Sequence, residues 1–302
     1  MANKPTLLFV DDEERILKSL KIMFKSRYRI LTTTDGNEAI EMAKNEQVNV
    51  IVSDQRMPIM TGTEVLRGVK EASPNTMRLL LTGYSDLAAI VGSVNEGEIF
   101  RYINKPWDND EIKSIVARAT DISLKAEALP DKAEQKQDAI TSELEILVID
   151  KDDQTLKLTE DALKDTNRVH WGQNLDEAFK ILSEHNNIAV IISEIKVGNE
   201  DISNPLKLLK QYHPNTLTLV VTSFQDTNAL IKLINQGQIF RFLPKPLAKG
   251  MLERGIRDAL WRYNFLQQVP QAVERHEVEP TKEEDTKTIS SKIFGYLKNL
   301  KR

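Results

Sequence analysis

Short apolar runs alternate with amphipathic segments from Thr6 to about Lys125. The runs "TLLFV", "YRILTT", "VNVIVS", "TMRLLLT" and "IFRYI" predict five strands, and segments such as "ERILKSLKIMFK" and "NEAIEMAKNE" have helical periodicity. Strands separated by helices predict a parallel sheet with right-handed crossovers and helices on both faces. The predicted fold class is therefore α/β, with a doubly wound, flavodoxin-like sheet of five parallel strands.

The same pattern occurs a second time further along the chain. Residues 74–106 align with residues 214–246 without a gap and give 14 identities in 33 positions, anchored by "NEGEIFRYINKP" and "NQGQIFRFLPKP". A repeat of this length predicts two copies of one domain. We assign the copies to residues 1–126 and 143–268, and interpret residues 127–142 as a helical extension followed by a linker.

Polar residues follow the predicted strands of the first copy. Asp11 and Asp12 come after the first strand, Asp54 after the third, Thr82 after the fourth and Lys105 after the fifth. The carboxyl ends of parallel strands meet at one edge of the sheet, where such folds bind ligands. Clustered carboxylates suit Mg²⁺, and a lysine with a hydroxyl can bind the oxygens of a transferring phosphoryl group.

This set of residues, together with "MPIMTG" after Asp54, resembles the receiver domain of bacterial two-component response regulators. The resemblance implies that Asp54 accepts a phosphoryl group from a histidine kinase or a histidine phosphotransfer protein. It also implies a Mg²⁺ cofactor bound by Asp12 and Asp54, with Asp11 holding a metal-bound water. Gly62, in the loop after the third strand, is expected to be structural.

The remaining residues of the resemblance concern the phosphoryl group and the response to it. Lys105 would pair with the phosphoryl group, and Thr82 with Tyr102 would form the switch. Phosphorylation would then change the surface formed by the fourth helix, fifth strand and fifth helix of the first copy.

The second copy departs from this pattern. It keeps three polar residues and changes two, since Lys151 and Glu194 stand at the positions of Asp12 and Asp54, beside retained Asp150, Thr222 and Lys245. Phe242 replaces Tyr102, and "VGNEDI" replaces "MPIMTG". An ammonium at a metal-ligand position repels Mg²⁺, and a glutamate can pair with Lys151 and Lys245 without being phosphorylated. We therefore expect a degenerate, metal-free pseudo-receiver, unless a shifted register brings Asp152 or Asp153 to the site.

Composition narrows the classes of function. The chain has 302 residues, 41 Lys and Arg against 45 Asp and Glu, and no cysteine. This balance does not favour nucleic acid as a partner, and the absence of cysteine excludes disulfides and thiolate metal sites. No apolar stretch approaches the ~20 residues of a membrane span, so we expect a cytoplasmic protein. The four histidines show no metal-ligand spacing: His170, His185, His213 and His276.

Residues 269–287 are acidic and poor in apolar side chains, and we expect a disordered tether there. Residues 288–302 predict a short amphipathic helix, whose apolar face comprises Ile289, Ile293, Phe294, Leu297 and Leu300. This helix either packs on a domain or contacts a partner groove or a membrane surface.

The expected function is that of a response regulator that signals through contacts with a downstream protein partner, with no DNA-binding or enzymatic output domain. Apart from self-phosphorylation and autodephosphorylation, we do not expect an enzyme. Two alternatives stay open: a phosphate sink or relay intermediate, and a Mg²⁺-dependent phosphohydrolase. The latter would need an Asp-x-Asp pair after the strand that carries its nucleophile, whereas the first strand of the first copy is followed by Asp11 and Asp12.

Overall fold

The computed structural model describes residues 4–83, 99–127, 143–164, 166–197, 200–201, 203–223, 234–235 and 239–268. The chain divides into two units, Met1–Lys132 and Ala133–Arg302. The tether and the C-terminal helix expected after residue 268 lie outside the described residues, as do the expected linker after Glu127 and the fourth helix expected in the first copy.

The first unit contains a sheet of five parallel strands in the order β2-β1-β3-β4-β5. Its strands are β1 (Thr6–Val10), β2 (Arg29–Thr33), β3 (Val50–Asp54), β4 (Met77–Thr82) and β5 (Arg101–Asn104). Its described helices are α1 (Glu14–Phe24), α2 (Gly36–Asn45), α3 (Gly62–Ala72) and α4 (Asn109–Glu127). This order of strands is that of a flavodoxin-like fold.

The central strands are apolar on both faces because helices cover both. Alternate residues such as Phe9, Val52 and Leu81 pack in one core cluster with residues of α1 and α4. The intervening residues of the same strands, such as Leu8 and Ile51, are also fully buried. The strands are therefore continuous hydrophobic runs rather than alternating ones, as parallel sheets require.

Side-chain caps set where the helices on the site edge begin. Asp35 caps α2 by accepting hydrogen bonds from the backbone N–H groups of Asn37 and Glu38. Thr61 and Glu64 form a reciprocal capping box at the start of α3. These caps satisfy backbone donors that have no partner inside the helix.

The second unit repeats the architecture with the strand order β7-β6-β8-β11-β12, again all parallel. These strands are β6 (Glu145–Ile149), β7 (Val169–Gly172), β8 (Ile188–Ser193), β11 (Leu217–Thr222) and β12 (Arg241–Pro244). The described helices are α5 (Asp153–Leu163), α6 (Leu175–Glu184), α7 (Ser203–Tyr212) and α8 (Lys249–Gln268). The prediction of two α/β units with five parallel strands each is confirmed.

One local difference separates the two sheets. After β8 the chain forms a two-stranded antiparallel ribbon, β9 (Lys196–Val197) with β10 (Glu200–Asp201). In the first unit the corresponding segment leads directly into α3. Among the helices that the structure describes, none is long and apolar enough to cross a membrane.

Candidate functional site

The carboxyl edge of the first sheet brings together four of the predicted site residues. Lys105 Nζ lies 2.6 Å from Asp54 Oδ1 and 3.1 Å from Asp11 Oδ2. Asp11, Asp12 and Asp54 each offer a carboxylate oxygen, and these oxygens lie within 4.8 Å of one another. Asp11 and Asp54 are buried, whereas Asp12 is exposed. The cluster is therefore open to solvent on the side of Asp12.

Backbone groups fix the orientation of the buried carboxylates. Asp11 Oδ1 accepts a hydrogen bond of 2.9 Å from the N–H of Glu13, and Asp54 Oδ2 accepts one of 3.1 Å from the N–H of Arg56. The backbone N–H of Lys105 donates to the carbonyl of Thr82 at 2.8 Å. Strand ends and their first loop residues thus hold the acidic groups and the lysine in place.

Burial and charge act on the titration of this cluster. Burial raises the pKa of Asp11, and the nearby Asp54 carboxylate adds to the increase, while the N–H of Glu13 and the ammonium of Lys105 oppose it. Burial alone would lower the pKa of Lys105, but the hydrogen bonds and charges of Asp54 and Asp11 outweigh it and raise that pKa. The ammonium is thus firmly charged beside the two carboxylates.

The donor set fits a hard divalent cation. Carboxylate oxygens with access to water are the ligands that Mg²⁺ prefers. Three carboxylates around a single ammonium leave a surplus of negative charge that a cation would neutralise. Asp11, Asp12 and Asp54 are the residues that would hold it.

The two predicted switch residues lie on β4 and β5, Thr82 at the end of its strand and Tyr102 two residues before the end of its own. Thr82 is fully buried at the end of β4, with its Oγ1 3.3 Å from the carbonyl oxygen of Gly83. Tyr102 on β5 is 1% exposed and is among the largest fully buried side chains. Both positions follow from the strand pairing that sets Thr82 opposite Asn104 and Leu80 opposite Tyr102.

Gly62 stands where no larger residue fits. A Cβ at this position would overlap the backbone carbonyl oxygen of Asp54 and come within 2.8 Å of a methyl group of Leu80. The N–H of Gly62 donates to the carbonyl of Gln55 at 3.1 Å. The glycine therefore lets the start of α3 approach the backbone of Asp54.

At the corresponding edge of the second sheet, the acidic side chains bind other residues of the same unit. Lys245 Nζ lies 2.6 Å from Glu194 Oε2 and 3.3 Å from Asp150 Oδ2. The hydroxyl of Thr155 donates to Asp150 Oδ2 at 2.7 Å, and Trp171 Nε1 donates to the carbonyl of Asp150 at 2.8 Å. Burial alone would lower the pKa of Lys245, but Glu194 and Asp150 outweigh it and raise that pKa.

One predicted contact of the second site is wrong. Lys151 is exposed, and within the described residues it forms no ion pair with Glu194. Lys151 directly follows Asp150 and extends into solvent, so Lys245 alone neutralises Glu194. Thr222 lies at the end of β11, where its carbonyl accepts the N–H of Lys245 at 3.0 Å, and Phe242 is fully buried.

Asp152 and Asp153 do not enter this site. Asp152 caps α5 through the N–H of Gln154, and Asp153 pairs with Lys157 at 2.6 Å. Among the described residues, no third acidic or histidine ligand joins Asp150 and Glu194. The alternative of a shifted register is therefore wrong.

The sequence did not reveal two groups of contacts. Thr155 lies inside a helix and carries no motif, although it binds Asp150. His170 and His185, which show no metal-ligand spacing in the sequence, both contact Glu145. Only the register of β6 with β7 and the end of α6 brings them together.

Comparison with known proteins identifies the first unit. Residues 7–117 match the family described as response regulator receiver domain, and the second unit lies outside that match. The chain is 39% identical over 116 residues to the hydrogenase transcriptional regulatory protein HoxA of Cupriavidus necator, covering 38% of this chain and 24% of HoxA. It is 32% identical to the transcriptional regulatory protein FixJ of Rhizobium meliloti, covering 42% of this chain and 63% of FixJ.

Among solved structures, the signal receiver domain of an HD domain-containing protein from Pseudomonas fluorescens Pf-5 is similar. The identity is 32%, the match covers 43% of this chain and 96% of that chain, and the TM-score is 0.41. Of the curated relatives, HoxA is matched over only about a quarter of its own length.

These relatives correct the expected output. The chain was expected to signal only through a protein partner, with neither a DNA-binding nor an enzymatic output domain. That expectation is contradicted, because the relatives of the first unit are transcriptional regulatory proteins and include NtrC of Klebsiella pneumoniae, a DNA-binding transcriptional regulator.

The fold, the acidic cluster and the family match coincide on one segment of the chain. The parallel sheet of the first unit carries the carboxylates and the lysine at its carboxyl edge, and the match begins at β1 and ends within α4. Residues 7–117 are therefore a response regulator receiver domain of the two-component type.

Proposed function

We propose that the first unit accepts a phosphoryl group on Asp54 from a histidine kinase or a histidine phosphotransfer protein. The observation that carries the proposal is the position of Lys105 Nζ, 2.6 Å from Asp54 Oδ1 at the open edge of the sheet. This ammonium lies where it can neutralise charge on a group attached to Asp54. The match to the receiver family supports the same assignment.

In the transfer step, a carboxylate oxygen of Asp54 attacks the phosphorus of the donor. The bond from phosphorus to the donor's imidazole nitrogen breaks, and that nitrogen keeps the electron pair. The product on Asp54 is an acyl phosphate. The N–H of Arg56 donates a hydrogen bond to Asp54 Oδ2. Asp54 Oδ1, which contacts Lys105, is therefore the oxygen that would attack the phosphorus.

Asp11, Asp12 and Asp54 would hold Mg²⁺, which neutralises the phosphoryl oxygens when it is bound. Lys105 contributes a second positive charge beside Asp54 and Asp11. Preorganised charges of this kind supply most of the catalysis in phosphoryl transfer. Thr82 on β4 and Tyr102 on β5 are proposed to carry the response to phosphorylation.

The second unit is proposed to be a pseudo-receiver that accepts no phosphoryl group. Its acidic residues already have partners, since Asp150 binds Lys245 and Thr155, and Glu194 binds Lys245. The position of Asp12 is taken by the exposed ammonium of Lys151, which repels a cation. The unit would serve as a fixed module whose state does not depend on a phosphodonor.

The proposed output is control of transcription, by analogy with the relatives HoxA and FixJ. Phosphorylation of Asp54 would be the input to this control. A comparison of transcript levels in cells that carry wild-type protein or the Asp54→Asn variant tests the output. Identical transcript profiles under conditions in which Asp54 is phosphorylated would contradict it.

The acceptor is tested by incubating the full chain with acetyl phosphate and Mg²⁺ and mapping the acyl phosphate by mass spectrometry after borohydride reduction. We expect one phosphoryl group per chain, on Asp54, and none in Asp54→Asn. On the Asp54→Asn background, wild-type Glu194 and the single change Glu194→Asp should both remain unlabelled. Labelling of Asp54→Asn at the wild-type level would overturn the assignment of the acceptor.

A further inference from the structure

A second cluster of potential metal ligands lies in the second unit, away from the acidic edge. We call Glu145, His170 and His185 the histidine cluster. Glu145 Oε2 lies 2.8 Å from His170 Nε2 and 3.0 Å from His185 Nδ1. The two imidazole rings lie 4.1 Å apart between centroids, tilted by 44°. All three side chains are mostly buried, the most accessible being His185 at 25%.

Three separate elements build the cluster. Glu145 begins β6, His170 lies on the adjacent edge strand β7, and His185 is the residue that caps the end of α6. In the strand register Leu147 faces His170, so Glu145 and His170 lie on the same face of the sheet. The end of α6 delivers His185 to that face.

The first unit has nothing comparable at the same place. Leu8 pairs with Leu31 in the first sheet as Leu147 pairs with His170 in the second, so Leu31 corresponds to His170. Thr6 begins β1 as Glu145 begins β6, and Glu46 caps α2 as His185 caps α6. Thr6 binds Asn49, and Glu46 pairs with Arg29. Of these three positions in the first unit, only that of Glu46 carries a ligand-type side chain, and Glu46 pairs with Arg29.

The donor set suits a divalent transition cation. Imidazole nitrogen with one carboxylate oxygen is a common ligand set for Zn²⁺, Ni²⁺ and related ions, and Mg²⁺ prefers oxygen alone. Zinc binds imidazole nitrogen at about 2.0–2.1 Å and carboxylate oxygen at about 2.0–2.2 Å, which separates ligand atoms by roughly 3.4 Å in a tetrahedral site. Glu145 needs to withdraw by only about half an ångström from its present contacts to reach that spacing.

We propose that Glu145, His170 and His185 bind a divalent first-row transition cation, with Zn²⁺ as the reference ion. The ion ties the start of β6 and the edge strand β7 to the end of α6. Three protein ligands leave a fourth position open to water. Asp150 lies five residue steps after Glu145, just past the end of β6, or about 16 Å away, so the site is distinct from the acidic edge.

The competing interpretation is a hydrogen-bonded cluster without a metal, in which Glu145 accepts from both imidazoles. Arg168 provides a control for the comparison between these two interpretations. Its Nη1 lies 4.0 Å from Glu145 Oε1, and its side chain is 68% exposed and offers no metal ligand. Arg168→Gln is therefore a matched control that removes an ion-pair contact to the carboxylate and leaves the ligand set intact.

The test is equilibrium dialysis of the full chain against Zn²⁺ in excess Mg²⁺, which occupies the carboxylates of the first unit. We expect one Zn²⁺ per chain. His170→Gln and His185→Gln should each weaken this binding by at least ~10-fold through loss of a ligand, while Arg168→Gln should bind as tightly as wild type or more tightly. Unchanged binding in both histidine variants would overturn the proposal.

A measurement on the wild-type chain protects the test against variants that fail to fold. The chain contains four histidines, whose imidazole signals are resolved by long-range ¹H–¹⁵N correlation spectra. One equivalent of Zn²⁺ should shift two of the four, assigned by the variants to His170 and His185, and chelation by EDTA should reverse the change. The absence of any shift, or a shift of a different pair, would overturn the proposal.

Discussion

Asp54 ends β3 and Glu194 directly follows the equivalent strand β8. Each lies 2.6 Å from a lysine, yet their surroundings differ in charge. In the first unit three carboxylates face one ammonium, a formal charge of −2. In the second, Asp150 and Glu194 face one ammonium, a formal charge of −1. The hydroxyl of Thr155 supplies the further contact to Asp150, at a position that corresponds to Ile16 in the first unit.

This difference separates a site with surplus negative charge from one whose acidic groups have partners within the unit. Surplus negative charge in a half-buried cleft is costly until a cation neutralises it. In the second unit, the two ion pairs of Lys245 and the hydrogen bond from Thr155 leave a smaller surplus of negative charge. The change from aspartate to glutamate is therefore one part of a larger rearrangement of partners.

The largest expected effect comes from Gly62→Ala. The added methyl group would overlap the carbonyl oxygen of Asp54, so β3 or α3 must shift. We expect a loss of stability of about 3 kcal/mol or more and a severe loss of Asp54 labelling. Urea unfolding and acetyl phosphate labelling measure the two effects. The second copy has Ile202 at the aligned position of the sequence. Normal labelling of Gly62→Ala would show that the close approach is not needed.

The lysines provide a direct contrast between the units. Lys105→Met and Lys245→Met each leave carboxylates without their ammonium, and we expect each to lower the free energy of unfolding by about 2 kcal/mol. Mg²⁺ should restore stability to Lys105→Met, because Asp11, Asp12 and Asp54 can bind it, and should not restore it to Lys245→Met. Calorimetry with and without Mg²⁺ makes the comparison. Equal rescue of both variants would mean that the second site also binds the cation.

Lys210 gives the second unit a dependence on pH. Burial, with a contribution from Arg262, lowers the pKa of Lys210 to about 7, and its Nζ donates to the carbonyl of Thr216 at 2.9 Å. The unfolded chain therefore binds a proton that the folded chain releases between pH 7 and the ordinary lysine pKa. Stability should rise with pH across that interval, by up to about 1.4 kcal/mol per pH unit.

Lys210→Met should remove this rise and stabilise the second unit most near and below pH 7, where the folded chain would otherwise bury a charged ammonium. The aligned Lys70→Met in the first unit is the control, since Lys70 is partly exposed. Urea titrations at a series of pH values measure the slope. The same slope in wild type and Lys210→Met would contradict the assignment.

The smallest expected effect is that of Thr155→Val. It removes one hydrogen bond to Asp150 and should lower the stability of the second unit by about 1–2 kcal/mol. The reciprocal change Ile16→Thr in the first unit should leave Asp54 labelling in place, because Asp11 keeps the N–H of Glu13 and Lys105. Chemical unfolding and labelling rates measure these changes. A loss of stability in Thr155→Val larger than that in Lys245→Met would mean that the hydroxyl stabilises Asp150 more than the ammonium of Lys245 does.

The sequence predicted the sheets and the acidic edge because strand ends of a parallel sheet converge whatever the intervening helices do. Asp11, Asp54 and Lys105 were accessible to that reasoning. Lys151 was misplaced because adjacent residues at a strand end point in different directions, and position alone does not say which one faces the site. The relatives, rather than any pattern in the chain, corrected the expected output.

Contacts that cross between elements were beyond the sequence. Thr155 binds Asp150 because Asp152 caps α5, which places Thr155 in the first turn of the helix, next to the strand end. The histidine cluster depends on strand register and on the residue at which α6 ends. Neither leaves a spacing that could be recognised along the chain.

The hydrogen bond from Trp171 to the carbonyl of Asp150 makes the second site optically observable. An indole that donates to the strand end beside Lys245 and Glu194 should change its emission when either partner is moved. In the first unit Trp107 follows Lys105-Pro106 and is partly buried near the acidic edge. Variants that retain only Trp107 or only Trp171 would therefore turn the fluorescence of this chain into separate reporters of its two units.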